Sequence, residues 1–328
     1  MEEINYHLVG NPEHGDSLEE LRAMAWSDGV VMCTRHTWVW PIFRQLKDRG
    51  FRATFSYELE EGAVNIIHGQ IARGLLAPAD FKKHFIIGIR ADYRPFPYGQ
   101  FEIVQNETTA GGRRVYMPLY PQPGLIPRDE RRAGVETVCF SGRAQNSFGL
   151  DQVGRELEKI GCRFVFKGEG EWQNMDDVDV LLGIRSFSKK PYHDKPATKL
   201  FNAWLAGIPF IGGYDSAFEQ CGEPGVNYLR VSSRDELMSE MRRLKDDPAL
   251  YASIVREGKT AGQRYAAERV TDRWVEFLEG PAAVEYRAWA AGAAGPGRRA
   301  AFGGALFGLY EKRIKANVSR VVALARGG

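Results

Sequence analysis

The chain has 328 residues, 44% hydrophobic and 26% charged, with a formal net charge of +2. This is ordinary globular composition with enough chain for two cores, and its near-neutral balance argues against a nucleic-acid partner. Cys33, Cys139, Cys162 and Cys221 are scattered with no C-x-x-C pair, which argues against a zinc site or disulfide framework and for reduced thiols in the cytoplasm.

The opening Met-Glu-Glu-Ile-Asn-Tyr is not expected to be a signal peptide, and no apolar run is long enough to span a bilayer. Residues 4–9 read as a first strand, followed by the loop Gly10–Asp16, at the end of a strand where α/β sheets place ligands. Its glycines are too few and wrongly spaced for a dinucleotide fingerprint. Val30–Cys33, Phe51–Phe55, Val64–Ile67, Phe85–Ile89 and Ile103–Gln105 read as further short strands, with helices such as Trp38–Asp48 between some of them. That alternation predicts a mostly parallel, doubly wound sheet. Pro121-Gln-Pro-Gly-Leu-Ile-Pro127 then reads as a stiff linker. The pattern restarts beyond it with strand Thr137–Phe140, helix Phe148–Ile160, strands Arg163–Lys167 and Val178–Gly183, strand Tyr228–Val231 and helix Ser233–Leu244.

Between those last strands lies Asp194-Lys-Pro-Ala-Thr-Lys-Leu-Phe-Asn-Ala-Trp-Leu-Ala-Gly-Ile-Pro-Phe-Ile211. Pro196 suits a first helical turn. Ala197, Leu200, Phe201, Trp204 and Leu205 form one apolar face, and Gly207 stops the helix before the buried strand Ile208–Ile211. Thr198, Lys199 and Asn202 share another face. Lys199 there is either a solvated cation or the holder of a phosphate-bearing ligand.

This block resembles the P-x-x-K-L-x-E-x-x-A-x-G-x-P segment in the second domain of GT-B glycosyltransferases, through Pro196, Lys199, Leu200, Ala203, Ala206, Gly207 and Pro209. The resemblance is specific over about residues 137–278 and architectural before that. It implies an α/β fold of two Rossmann-like doubly wound domains facing a cleft: residues 1–122 for the acceptor, 123–280 for the nucleotide-sugar donor, and a tail from 281 to 328. In the family the central helix lies under the donor and an acid on it holds the ribose. Asn202 stands where that glutamate is expected, and Asp194, eight residues earlier, takes the place of the first acid of a paired-glutamate motif.

The resemblance also implies a diphosphate held by Gly142-Arg143 after the first strand of the second domain and by Lys167 after the next. Fixed cations there stabilise the charge growing on a nucleoside-diphosphate leaving group. A small-residue turn at Gly212, Gly213 and Ser216 implies a further phosphate contact, and Glu219 is either a donor-binding acid or a helix-surface residue. Asp177-Val-Asp179 is a literal D-x-D, the metal signature of the GT-A fold, yet it abuts the apolar run Val180–Gly183 and reads as a polar turn. No metal or other cofactor is expected. The acceptor-side base is expected from the first domain, where Asp16, His36, His68 and Asp92 fall near strand ends. Asp92 and His68 rank first, then Asp16.

Late in the chain, Arg264–Leu278 resembles the helix that closes the second domain, with Trp274 and Leu278 as core residues. Arg298–Gly328 reads as a basic amphipathic helix of net charge +6, with seven cations against Glu311. It either packs back on the first domain or lies on an anionic leaflet at the inner face of the membrane. The expected function is transfer of a sugar from a nucleotide-diphosphate donor such as a UDP-sugar to a hydroxyl on a glycan or lipid-linked acceptor, in glycan or polysaccharide biosynthesis. The alternatives are a sugar-nucleotide 2-epimerase of the same fold and a non-catalytic GT-B-shaped binding protein.

Overall fold

The structure is a computed structural model that describes residues 3–10, 17–28, 36–75, 83–96, 99–143, 149–168 and 170–292. The expected strand Val30–Cys33, the loop residue Asp16 and the tail from Arg298 lie outside them.

Two parallel sheets make two α/β units. The first holds β1 (Tyr6–Val9), β2 (Ala53–Ser56), β3 (Val64–His68), β4 (Phe85–Ile89), β5 (Phe101–Val104) and β6 (Arg114–Tyr116), in the order β2-β1-β3-β4-β5-β6. Tyr6 pairs with Ala53 on one side and Val64 on the other. Every residue of β3 and β4 is buried, as a parallel sheet covered on both faces requires. The helix His36–Asp48 lays Val39, Trp40, Phe43 and Leu46 into that core.

The second sheet holds β7 (Thr137–Ser141), β8 (Arg163–Lys167), β9 (Val180–Gly183), β10 (Phe210–Gly212) and β11 (Leu229–Arg230), in the order β11-β10-β9-β7-β8. Val138 of β7 faces Phe164 on one side and Val180 on the other. The strand order therefore reverses at β7 and β9, and the crevice at their carboxyl ends is where such sheets bind ligands. The helix Thr198–Ala206 lies against β9, with Leu200, Phe201 and Trp204 buried. It ends at Gly207 in left-handed backbone (φ 70), whose N–H is bonded to the carbonyls of Ala203 and Trp204.

The stiff linker is fastened to the second unit. The Gln122 N–H donates to Asn202 Oδ1 at 2.9 Å, and Ile126 forms a parallel bridge with Asn174. Beyond it, Asp179 is a buried anchor. Arg128 Nε donates to it at 2.9 Å, Arg132 Nη2 at 2.8 Å, and the Glu136 and Thr137 amides at 3.0 and 2.8 Å. Asp177 binds Lys167 at 2.5 Å and Arg163 at 3.3 Å. The D-x-D does lie in the turn that leads into β9, and each carboxylate is committed to arginine or lysine.

One expectation is corrected. The helix Ala267–Phe277 does not close the second unit: Val270, Trp274, Phe277 and Leu278 belong to the first unit's core. Thr271 Oγ1 bonds the Tyr120 hydroxyl at 3.1 Å and Gln45 Oε1 at 3.0 Å, and Phe277 meets Phe101 edge-on. The next helix, Ala283–Ala290, brings Tyr286 and Trp289 against Phe85. An amphipathic stripe shows in sequence, but the core that receives it is a property of the chain path. Among the described residues no helix is long and apolar enough to cross a membrane.

Candidate functional site

The crevice is built from β7, β9 and the central helix. After β7 the chain passes through Gly142 (φ 154), whose N–H donates to Lys167 O at 3.0 Å. A Cβ on Gly142 would stand 3.0 Å from Lys199 Nζ, so this glycine leaves the space the lysine occupies. Arg143 follows, exposed at the rim. Lys199 sits on the second residue of the central helix, and its ammonium lies 3.6 Å from the centre of the Phe140 ring. Among the described residues no carboxylate forms an ion pair with it. Burial, then the charge of Arg185, pushes its amine down to about 7, against the opposite pull of Cys139 and Asp215.

Phe140, Gly183, Arg185, Lys199 and Phe218 line one narrow gap that has no room for a water molecule. Arg185 follows β9 as Arg143 follows β7. Its Nε donates to Asp215 Oδ2 at 2.6 Å, and the Asp215 side chain is 1% exposed. Burial pushes the Asp215 carboxyl up, against the lowering effect of Arg185 and Lys199. Arg185 and Asp215 were missed by sequence reasoning, which took Arg143 from the family resemblance and read no cation after β9.

The other residues named from sequence are placed differently. Lys167 is spent on Asn174 O at 2.7 Å and Asp177. The oxygen of Asn202 is bonded to the linker amide, so it does not face the crevice as a free acceptor. Ser216 Oγ receives a bond from Asn106 Nδ2 of the first unit at 2.8 Å. Glu219 pairs with Arg230 at 2.5 Å, and Asp194 is exposed, 3.9 Å from Lys195 Nζ.

Across the cleft, Asp92 lies just past β4, where Ala91 holds left-handed backbone (φ 53) and turns the chain sharply. Lys195 Nζ of the second unit donates to Asp92 Oδ2 at 2.8 Å. Asn106 adds bonds to Lys195 O and Gln220, and Thr108 Oγ1 meets His193 Nδ1 at 3.1 Å. These contacts bring Asp92 against the loop that leads into the central helix. His68 is buried, its ring edge-on to Tyr93, and its Nδ1 accepts the Gln70 N–H at 3.2 Å. That bond occupies the basic nitrogen of a neutral imidazole and suits a helix cap better than a base. Side-chain placement of His36 is outside what is described. Among the described residues no group of three or more His, Cys, Asp and Glu is placed to hold a metal ion.

The family model described as "Glycosyl transferase-like" matches residues 150–280. No curated protein matches the sequence. The fold is similar to AviGT4, a glycosyltransferase involved in avilamycin A biosynthesis, at TM-score 0.55 and 14% identity, covering 88% of this chain and 98% of that one. It is similar to Anabaena HepE in complex with UDP and glucose at TM-score 0.54 and 11% identity, covering 84% and 100%. The pneumococcal O-GlcNAc transferase GtfA, in complex with UDP and GlcNAc, gives TM-score 0.50 at 11% identity, covering 66% of this chain. The chain spans just over half the length of GtfA, 56%. The second unit is thus similar in sequence to a glycosyl transferase-like family over residues 150–280, and the two units together share the two-domain GT-B fold of these structures.

Proposed function

We propose that the chain moves a sugar from a nucleotide-diphosphate donor to a hydroxyl acceptor, with the diphosphate on the second unit at the carboxyl ends of β7 and β9. The observation that carries this reading is Lys199, an ammonium set against Phe140 beneath Gly142, without an ion-pair partner among the described residues. A partly dry cation beside a glycine that admits close approach stabilises a leaving diphosphate far better than one in water. Arg143 at the rim adds a second charge. HepE and GtfA were captured with UDP, which supports a UDP-sugar donor here.

The acceptor hydroxyl belongs to a glycan or lipid-linked glycan, and Asp92 is the base that takes its proton as the C–O bond forms. The basic segment 298–328 holds the cleft near an anionic membrane surface that carries such an acceptor; flotation on anionic liposomes, lost on truncation at Gly295, tests that part. Incubation with UDP-, GDP- and dTDP-sugars, followed by release of the nucleoside diphosphate, tests the activity. Turnover with at least one donor is expected. A second reading, a non-catalytic binding protein, is favoured by Asn202, whose oxygen is tied to the linker where an acid would hold the ribose. Nucleotide binding without turnover of any donor selects it.

A further inference from the structure

Lys199 does not stand alone in its gap. Arg185 lines the same space from the end of β9, and Gly183 and Phe218 complete the wall. The side chains of Lys199 and Arg185 are therefore neighbours along one narrow gap in the crevice wall, and the anion bonded there is Asp215, which is buried. The hydrogen bond between them runs through Nε of Arg185 to Oδ2. The two terminal nitrogens of the guanidinium fork are not spent on it, and these present a planar pair of donors to phosphate oxygens. Asp215 Oδ1 is buried and receives no hydrogen bond among the described residues. With Lys199 protonated, one carboxylate cannot balance two cations, so this corner of the crevice carries net positive charge that an anion bound beside it neutralises.

Lys167, the cation expected for this task, has its ammonium on Asn174 O and Asp177 instead. We propose that Arg185, held in place by Asp215, is the second cation of the diphosphate site and takes the role expected of Lys167. This inference rests on the donor site proposed above. The Asp215 bond fixes the guanidinium plane before the ligand arrives, so less side-chain entropy is lost on binding. The same bond draws part of the positive charge toward Asp215, so the carboxylate restrains affinity while it orders the site. Arg185 and Lys199 come from β9 and the central helix, and a diphosphate bridging them links both elements of the crevice.

The test is calorimetric titration of the full chain with inorganic pyrophosphate and with UDP. Arg185→Gln alone leaves a buried carboxylate unpaired and risks unfolding, so the principal variant is Arg185→Gln with Asp215→Asn. Thermal melts establish that it folds. It is expected to bind pyrophosphate at least about tenfold more weakly than the parent, the scale of a lost charge-assisted bond. Asp215→Asn alone is expected to bind about twofold or more tightly, because it removes the competing anion and keeps the guanidinium; a purely structural ion pair gives no such gain. Lys167→Met is expected to bind as the parent does.

Parent-like affinity in the double variant, no pyrophosphate binding by the parent, or a loss with Lys167→Met as large as with the double variant overturns the assignment. Pyrophosphate binding that depends on Arg185, in a protein that turns over no sugar nucleotide, keeps the anion site and removes the transferase reading.

Discussion

The ammonium of Lys199 lies 3.6 Å from the centre of the Phe140 ring, in the position that a Cβ on Gly142 would crowd. The ring face attracts the cation but replaces little of the water it has lost. The amine therefore sits near 7, with Arg185 lowering it further and Cys139 and Asp215 opposing. Above that pH the free protein has lost the proton that a bound diphosphate requires, so binding must take one up. Nucleoside-diphosphate affinity is expected to fall as pH rises from 7 to 9, by up to about tenfold per unit. Calorimetry in two buffers of different ionisation enthalpy reads the proton uptake directly. Lys199→Met abolishes the pH dependence and weakens binding by about 1.5–3 kcal/mol; a flat profile in the parent contradicts the account.

Asp92 is held by Lys195 at 2.8 Å across the cleft. In its proposed role as the acceptor base it would act only on the step in which the hydroxyl loses its proton. Asp92→Asn is expected to lower kcat by about 10²–10⁴-fold while donor affinity changes little. Replacement that weakens donor affinity but leaves kcat unchanged would assign Asp92 to the donor side.

Asp179 has a different task. Burial pushes its carboxyl up, but hydrogen bonds from Arg132, from the Thr137 and Glu136 amides and from Arg128 outweigh it and hold the pKa below the ordinary range. A depressed folded value means its stabilisation is complete above the unfolded pKa, about 4, and is lost as pH falls through the folded one. Asp179→Asn is expected to cost about 3 kcal/mol at neutral pH by leaving its two arginines unpaired. Urea melts from pH 7 to 3 should show the gap between parent and variant closing below about pH 4; a constant gap contradicts the charge argument.

Trp274 is 2% exposed and packs in the first unit's core, although it follows the second unit in sequence. Trp274→Ala is expected to cost about 3–5 kcal/mol. The test is which unit's amides lose protection in hydrogen exchange. Loss across β1–β4 supports the returning path, and loss confined to β7–β11 contradicts it.

Much of this architecture was readable from local pattern. Apart from β6, the strands of both sheets, the central helix and its Gly207 stop follow from apolar spacing and one glycine, which are properties of short windows. Lys199 stood out because the block around it resembles the donor helix of GT-B glycosyltransferases; spacing alone left it open as a solvated cation. Arg185 did not, because its partner Asp215 lies thirty residues on and a strand-end arginine looks like any surface cation. Asn202 was read as a ligand contact because its partner, the Gln122 amide, is eighty residues away. The destination of Trp274 was hidden for the same reason: a stripe of apolar residues records that it is buried, not against what. Pairings made by the chain path are what sequence spacing leaves open.

The central claim is that a nucleoside diphosphate lies on the second unit between β7 and β9. A crystal structure of the full chain with UDP, or with GDP or dTDP where calorimetry shows tighter binding, tests it most directly. Diphosphate oxygens are expected within hydrogen-bonding distance of Lys199 Nζ and the Arg185 guanidinium, close to the Gly142 backbone. A nucleotide bound with its phosphates on the first unit, or on the second unit away from Lys199, contradicts it.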